Sequence, residues 1–424
     1  MSELLEKFIE CNYQVCTDTR NIIPGSIFFA LKGDNFNGNQ YANKAIELGA
    51  KYAVIDEDEF YNNNTLLVDD VLTTLQQLAN EYRNTFNIPV LGITGSNGKT
   101  TAKELIHSVI SQKFKCHSTP GNFNNHIGLP LTILGMPMGA EFLILEMGDN
   151  HSGEIKTLSE IGNPTHALVT NVGKDHIEGF GSFENNKLAK KELFDYVELT
   201  KGTAFIPSFE EELIDMSSGV ADRVFFGSQS GYSYVEHTKS DPFIHFRIEG
   251  NKEASTNLIG DYNIKNVEMA NCIGKYFKVE TEDIYTAISK YQPKNNRSQF
   301  IESNGHKVFL DAYNANPSSV ELALDSFDKQ HLLNNRVVIL GDMLELGEES
   351  TKEHQTIADR ISKLDIKAYL IGSEYSKTKK HSGISYFDNR KELIEFLNEN
   401  PLPKSQILIK GSRGIRLEET LEHL

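Results

Sequence analysis

The stretch GITGSNGKTT, residues 92–101, decides how this chain is read. The apolar segment PVLGIT runs into it, and TAKELIHSVISQ follows with Ala102, Leu105, Ile106, Val109 and Ile110 at helical spacing. A glycine-containing turn between a strand and a helix N-terminus offers free backbone N–H groups and the positive end of the helix dipole, which together favour an anion. The spelling departs from the familiar G-x-x-x-x-G-K-[ST] loop, because position 93 is isoleucine and the nearer Gly95 gives G-x-x-G-K-T. Within it, Lys99 can reach terminal phosphates and Thr100 can set its hydroxyl on a magnesium ion. A plain turn also uses glycine and asparagine, but G-K-T-T in this setting points to a nucleotide.

Outward from the loop, short apolar runs alternate with helix-like or polar sequence. FLILEM and HALVTNV follow it, and KVFLDAY, RVVILGD, AYLIGS and QILIKGS form a second series. Near-continuous apolar strands between helices predict parallel sheets covered on both faces. Before the loop, GSIFFALKG, YANKAIELGA and KYAVID read as a small α/β unit. LTTLQQLANEYRNTF has helical spacing and NIPV breaks it, which sets a boundary near residue 83; YQPKNN at 291–296 reads as a linker. The expected organisation is three α/β domains, 1–83, 84–293 and 294–424.

Composition agrees with that size. A chain of 424 residues exceeds what one core serves, and 39% hydrophobic with 24% charged residues is ordinary for a globular protein. The formal net charge of -17 argues against a nucleic-acid partner, so anionic substrates require cations gathered locally. Cys11, Cys16, Cys116 and Cys272 have neither disulfide-framework nor metal-type spacing. The opening MSELLEKFIECNYQV carries acidic residues and no apolar core, and no run approaches the roughly 18 apolar residues of a membrane span. A cytoplasmic protein is expected.

Two strand ends join the loop. FLILEMGDN ends its apolar run at Glu146, and the exit of HALVTNVGKDH carries His176. In an open α/β sheet ligands sit beyond the carboxyl ends of the strands. A carboxylate and an imidazole beside a triphosphate there suit metal binding. Singly, Glu146 could be a capping partner and His176 a hydrogen-bonded loop residue.

These residues resemble the Mur ligase family, the ATP-dependent amide-forming ligases of peptidoglycan synthesis. TGSNGKTT is that family's shortened loop, and the likeness extends over the whole chain. It includes DTRNIIPGSIFFALKGDNFNG, TPGNFNNHIGLPLTIL, EMGDNHSGEI, TNVGKDHIEGFGSFENNKLAKKELF, GDYNIKN, LDAYNANPSS, LGDMLELGEES and KGSRGIRLEE. The asparagine-rich block 119–130 and YNANP resemble the branch that adds D-alanyl-D-alanine to UDP-N-acetylmuramoyl-tripeptide; the D-N-P-R signature of the sister ligase is absent. The resemblance implies a small N-terminal UDP-substrate domain, a central P-loop-type ATPase domain with a parallel sheet, and a C-terminal Rossmann-like domain; separately, a monomer is expected.

Position by position, the resemblance implies that Gly95, Ser96, Asn97, Gly98, Lys99, Thr100 and Thr101 hold the ATP phosphates. Thr100 and Glu146 would ligate one Mg²⁺, and His176 with a carbamylated Lys190 a second, Lys187 and Lys191 being its neighbours in sequence. Asn266, with Asn263 beside it, would face adenine, while Arg297 and Asp311 would reach the nucleotide from the third domain. Thr19, Arg20 and Lys32 would grip uridine diphosphate, and Asn122, Asn124, Asn125 and His126 the sugar-peptide. Lys410, Ser412 and Arg413 would bind the dipeptide carboxylate; His354 and Asp342 are candidates for a general base.

Three positions depart from the family pattern. Asp149 and Asp175 stand where alanine is common, and Tyr262 stands where histidine is usual. Two added carboxylates beside the implied metal ligands can change metal affinity and neighbouring pKa values. A folylpolyglutamate-type ligase shares the shortened loop but not the extra N-terminal domain. A small-molecule kinase would release no amide, and a silent binding relative would be expected to lose Lys99, Glu146 or Lys190, all present here.

Overall fold

A computed structural model describes residues 2–424. The first domain carries a four-stranded parallel sheet in the order Val15–Cys16, Ile27–Phe29, Tyr52–Ile55, Thr65–Leu67. Helix Val71–Asn84 leads out of it, started by the Asp70 side chain accepting from the Thr73 N–H. Its apolar face, with Leu75, Leu78 and Tyr82, is buried, and the Tyr82 hydroxyl donates to the Met136 carbonyl at 2.8 Å, tying first domain to second.

The second domain is built on a six-stranded parallel sheet. Its order is Asp222–Phe226, Thr203–Pro207, His166–Val169, Val90–Thr94, Phe142–Glu146, Cys116–Ser118. Strand Val90–Thr94 is buried at every position, as a run of apolar residues covered on both faces should be. Its neighbours on either side are the strands that end at Glu146 and lead to His176. The three carboxyl ends therefore meet, and the loop after Thr94 lies between them.

The same domain also holds a three-stranded antiparallel sheet, Val235–Ser240, Phe243–Ile248 and Glu253–Ile259. The strand-helix repeat expected through residue 293 misses it. Its middle strand alternates buried with half-buried residues, the pattern of a sheet with one face on the core. The third domain is a six-stranded sheet in the order Gln299–Ser303, His306–Asp311, Ser405–Lys410, Asn335–Gly341, Lys367–Ile371, Ile384–Phe387, with the first strand antiparallel. Among the described residues no helix is long and apolar enough to cross a membrane.

Candidate active site

The phosphate loop is shaped by two glycines in the left-handed region, Gly95 at φ 136° and Gly98 at φ 82°. A Cβ on Gly95 would run into Thr170 Oγ1 and its backbone nitrogen, so only glycine fits there. The loop is pinned to the exit of strand His166–Val169. The Ser96 N–H donates to the Asn171 carbonyl at 3.0 Å and the Asn97 N–H to Asn171 Oδ1 at 3.0 Å. Thr170 Oγ1 and Asn171 Nδ2 both donate to the Asn97 carbonyl. Gly98 caps helix Lys99–Ile110, whose first residues line the cleft, and the Lys99 ammonium donates to the Gly95 carbonyl.

Glu146 lies within reach of the loop. Thr100 Oγ1 donates to Glu146 Oε1 at 3.0 Å, and Asn124 Nδ2 donates to the same oxygen at 2.9 Å. Glu146 Oε2 is buried without a hydrogen-bond partner, 3.5 Å from the buried Lys103 ammonium. An anionic oxygen left open beside a threonine hydroxyl fits a hard cation such as Mg²⁺. Among the described residues, no three His, Cys, Asp or Glu side chains converge on one metal position. A cation here would need oxygens from the substrates, as Mg²⁺ commonly takes. Lys103, one turn beyond Lys99 on the same helix, was missed in the sequence; its i,i+4 relation to Lys99 was the available signal.

The other implied ligands of a metal have partners of their own, although His176 lines the same cleft as Glu146. His176 Nδ1 lies 2.7 Å from Glu345 Oε2, a third-domain residue within LGDMLELGEES that was given no role of its own. Lys190 is wholly buried, its ammonium 3.1 Å from Asp149 Oδ2 and 3.7 Å from Asp175 Oδ2. These partners fit a cation; they do not fit the carbamate that the resemblance implies at Lys190, which would set an anion between two carboxylates. Burial pushes the Asp175 carboxyl up, but Lys190, Lys99 and hydrogen bonds from Ser96 and Asn186 outweigh it and hold the group below its usual range. Lys187 and Lys191 pair instead with Glu212 and Asp195.

A cleft of about 1380 Å³ runs between the second and third domains. Ser96 to Thr101 line it, as do Asn122, Asn124, Asn125 and His126. Asn125 also works locally, its Oδ1 accepting from the Ile127 and Gly128 N–H groups at the start of helix Gly128–Leu134. Asn266 packs against Gly98 and donates to Asn263 Oδ1 at 2.7 Å, while Asn263 donates to Ser298 Oγ and the Ile259 carbonyl. Tyr262, where the family has histidine, lines the cleft, and burial raises its hydroxyl above the ordinary range.

The third domain brings cations to this acidic chain's cleft. Arg297 lies 3.5 Å and Arg413 4.9 Å from the ring centroid of Tyr313, so one aromatic ring holds both guanidiniums. Lys410 donates to Asp311 Oδ2 at 2.6 Å, and Asp311 Oδ1 accepts the Ser298 N–H at 3.1 Å. Asn316 Nδ2 donates to Asn97 Oδ1 at 2.9 Å, placing the start of helix Pro317–Lys329 against the phosphate loop.

Several implied residues lie elsewhere. Thr19, Arg20 and Lys32 do not line the cleft. Arg20 is turned onto Asp18 with its side chain 86% exposed, and Lys32 pairs with Asp56 at 2.9 Å and Glu57 at 3.4 Å. Ser412 is buried, its hydroxyl accepting the Leu344 N–H, and does not line the cleft either. His354 is fully buried with Nε2 accepting from Met343 N–H and Nδ1 on the Ser350 carbonyl, and burial lowers its pKa. Asp342 accepts from the Glu374 and Tyr375 N–H groups. Both are committed to the third-domain framework and neither lines the cleft, so neither serves as the general base.

Comparisons with known proteins accord with this geometry. Residues 13–89 match the model described as Mur ligase family, catalytic domain; 93–274 match the Mur ligase middle domain; 296–413 match the Mur ligase, glutamate ligase domain. The chain is 34% identical to the UDP-N-acetylmuramoyl-tripeptide--D-alanyl-D-alanine ligase of Bacillus subtilis, covering 97% of this chain and 92% of that one. It is similar to the crystal structure of MurF from Acinetobacter baumannii, with a TM-score of 0.87 at 26% identity over 96% of this chain and 92% of that chain. MurF ligase from Thermotoga maritima in complex with ADP gives the same TM-score and identity over 100% of this chain and 98% of that chain.

Proposed function

The chain belongs to the Mur ligase family, and from that premise we propose that it joins D-alanyl-D-alanine to UDP-N-acetylmuramoyl-tripeptide with consumption of ATP. The observation that carries this reading is the full-length likeness to ligases of that activity. The domains divide at 1–83, 84–293 and 294–424, with the uridine end of the substrate assigned to the first. The reading takes the chain to act as a monomer, and the use of ATP suits the cytoplasm.

In the first step, a carboxylate oxygen of the tripeptide attacks the γ-phosphorus of ATP and ADP leaves, giving an acyl phosphate. The dipeptide amine then attacks the carbonyl carbon, loses a proton, and expels inorganic phosphate from the tetrahedral intermediate. Both reactants of the first step are anions, so catalysis lies in positioning and screening. Gly95 to Thr101 cradle the phosphates, and Lys99 turns from the Gly95 carbonyl to the terminal ones. Thr100 and Glu146 would hold Mg²⁺, which when bound neutralises charge between the phosphates and the attacking carboxylate. Asn266, Arg297 and Asp311 serve the nucleotide, Asn122, Asn124 and His126 the sugar-peptide, and Lys410 and Arg413 the dipeptide carboxylate.

Phosphate release and product mass test the reading. With ATP, Mg²⁺ and UDP-N-acetylmuramoyl-tripeptide, release should depend on D-alanyl-D-alanine and yield the pentapeptide amide. Release of phosphate with no amide product, or none with any dipeptide, overturns it and turns attention to folate acceptors.

A further inference from the structure

We propose that Lys190 remains an unmodified ammonium, locked beneath the cleft by Asp149 and Asp175, and that this enzyme works without CO₂. The inference rests on the ligase reading given above and concerns how its central site is charged.

The surroundings of Lys190 are those of a cation. Its side chain is 0% exposed. Its Nζ meets both oxygens of Asp149, at 3.1 and 3.4 Å, and Asp175 Oδ2 at 3.7 Å. It also stands 5.0 Å from the ring centroid of Phe180, and an aromatic face attracts positive charge. The two aspartates line the cleft and the lysine does not. Substrates therefore meet carboxylates, with the ammonium behind them.

Carbamylation would run against each of these features. A neutral Nζ would attack CO₂, form an N–C bond and release a proton, leaving an anionic carbamate. The protons that face Asp149 and Asp175 would be lost, and three anions would share one buried pocket, while His176, the other ligand the resemblance gives a cation there, is turned onto Glu345. Like charges so placed are strongly disfavoured where water is excluded. As it stands, one ammonium between two carboxylates carries a formal charge of minus one. A single carbamate flanked by the alanines common in the family would carry the same charge. The pair of aspartates thus supplies from the chain itself the charge that CO₂ would otherwise bring.

Lys190 is on this account a positioning residue. Asp175, which it faces, accepts from the Ser96 hydroxyl and from Asn186 Nδ2 at 2.7 Å. Ser96 belongs to the phosphate loop, so the ammonium steadies that loop through Asp175.

The test is ¹³C NMR of wild-type enzyme equilibrated with ¹³C-bicarbonate, alongside phosphate-release rates in CO₂-depleted and bicarbonate-supplemented buffer. No protein-bound carbamate carbonyl signal should appear, and the two rates should agree within about twofold. Lys190→Arg, which keeps the charge and cannot carry the carbamate, should keep about tenfold more activity than Lys190→Ala. Short carboxylic acids should not rescue Lys190→Ala. A carbamate signal that disappears in Lys190→Ala, a bicarbonate-dependent rate, or rescue by acetate would overturn the proposal. If phosphate release proves independent of D-alanyl-D-alanine, the ligase reading fails, yet the NMR signal still decides the state of Lys190.

Discussion

His176 Nδ1 and Glu345 Oε2 meet at 2.7 Å, joining the exit loop of a central strand to the third domain. Both residues have left-handed backbones, at φ 50° and 65°, so each loop is bent to present its side chain. The hydrogen bond from His176 holds the Glu345 carboxyl below its usual range, against the opposing effect of burial. The Glu178 N–H reaches the Glu345 carbonyl at 3.3 Å and Lys174 pairs with Glu353 at 2.9 Å, so the contact is one of several that close the domains. Glu345 is half exposed. Its pair is therefore worth about 0.2–1 kcal/mol, and Glu345→Ala should raise the KM for ATP by about 1.4- to fivefold with kcat nearly kept. Steady-state kinetics at low ionic strength read this directly, and an unchanged KM would remove the pair from closure.

Gly95 admits no side chain. Gly95→Ala would drive a Cβ into Thr170 while holding a φ of 136° that alanine avoids. The loop must then move off Asn171, to which the Ser96 and Asn97 N–H groups donate. We expect nucleotide binding to be lost while the far third-domain sheet keeps its structure. Titration with a fluorescent ATP analogue, with circular dichroism as the folding control, decides the matter. Wild-type affinity in the variant would mean that the loop has room the geometry denies.

Glu146→Gln tests the cation site separately. The amide keeps the shape and can still accept from Thr100, but the anionic oxygen beside Lys103 is gone. The magnesium concentration for half-maximal phosphate release should rise about tenfold or more, since a hard cation prefers charged oxygen. A buried lysine without its counter-charge should also lower stability by about 1–3 kcal/mol. An unchanged magnesium requirement would exclude Glu146 as a ligand.

What the sequence disclosed was local. The loop 95–101 was readable because glycine, lysine and threonine stand between an apolar strand and an amphipathic helix, all within one short window. The meeting of Glu146 with Thr100 followed from the rule that parallel strands deliver ligands at their carboxyl ends. Partners drawn from distant segments were not readable. Nothing in the neighbourhood of Glu345 announces His176, and Asp149 and Asp175 are bare departures in sequence, whereas in the fold both face Lys190. The sheet from Val235 to Ile259 escaped because its strands carry polar faces, as in HTKS and FIHFRI, and lack the apolar continuity of the parallel strands.

Glu268 offers a test of buried charge away from the cleft. Its carboxyl is buried in helix Ile264–Tyr276 and accepts the Val235 N–H at 3.1 Å. Burial pushes its pKa up to about 7 from an ordinary 4.5, with the Val235 hydrogen bond and Lys265 opposing. The folded chain thus holds this proton more tightly than the unfolded one. Its contribution to stability is full below pH 4.5 and is lost as pH rises through about 7. Glu268→Gln keeps an acceptor for Val235 and removes the titration. The variant should match wild type below about pH 4.5 and exceed it by about 3 kcal/mol in mildly alkaline buffer. Calorimetry of both proteins across that range reads the difference. Parallel stability curves would show that Glu268 titrates normally, and that the helix is open enough at this point to hydrate a carboxylate.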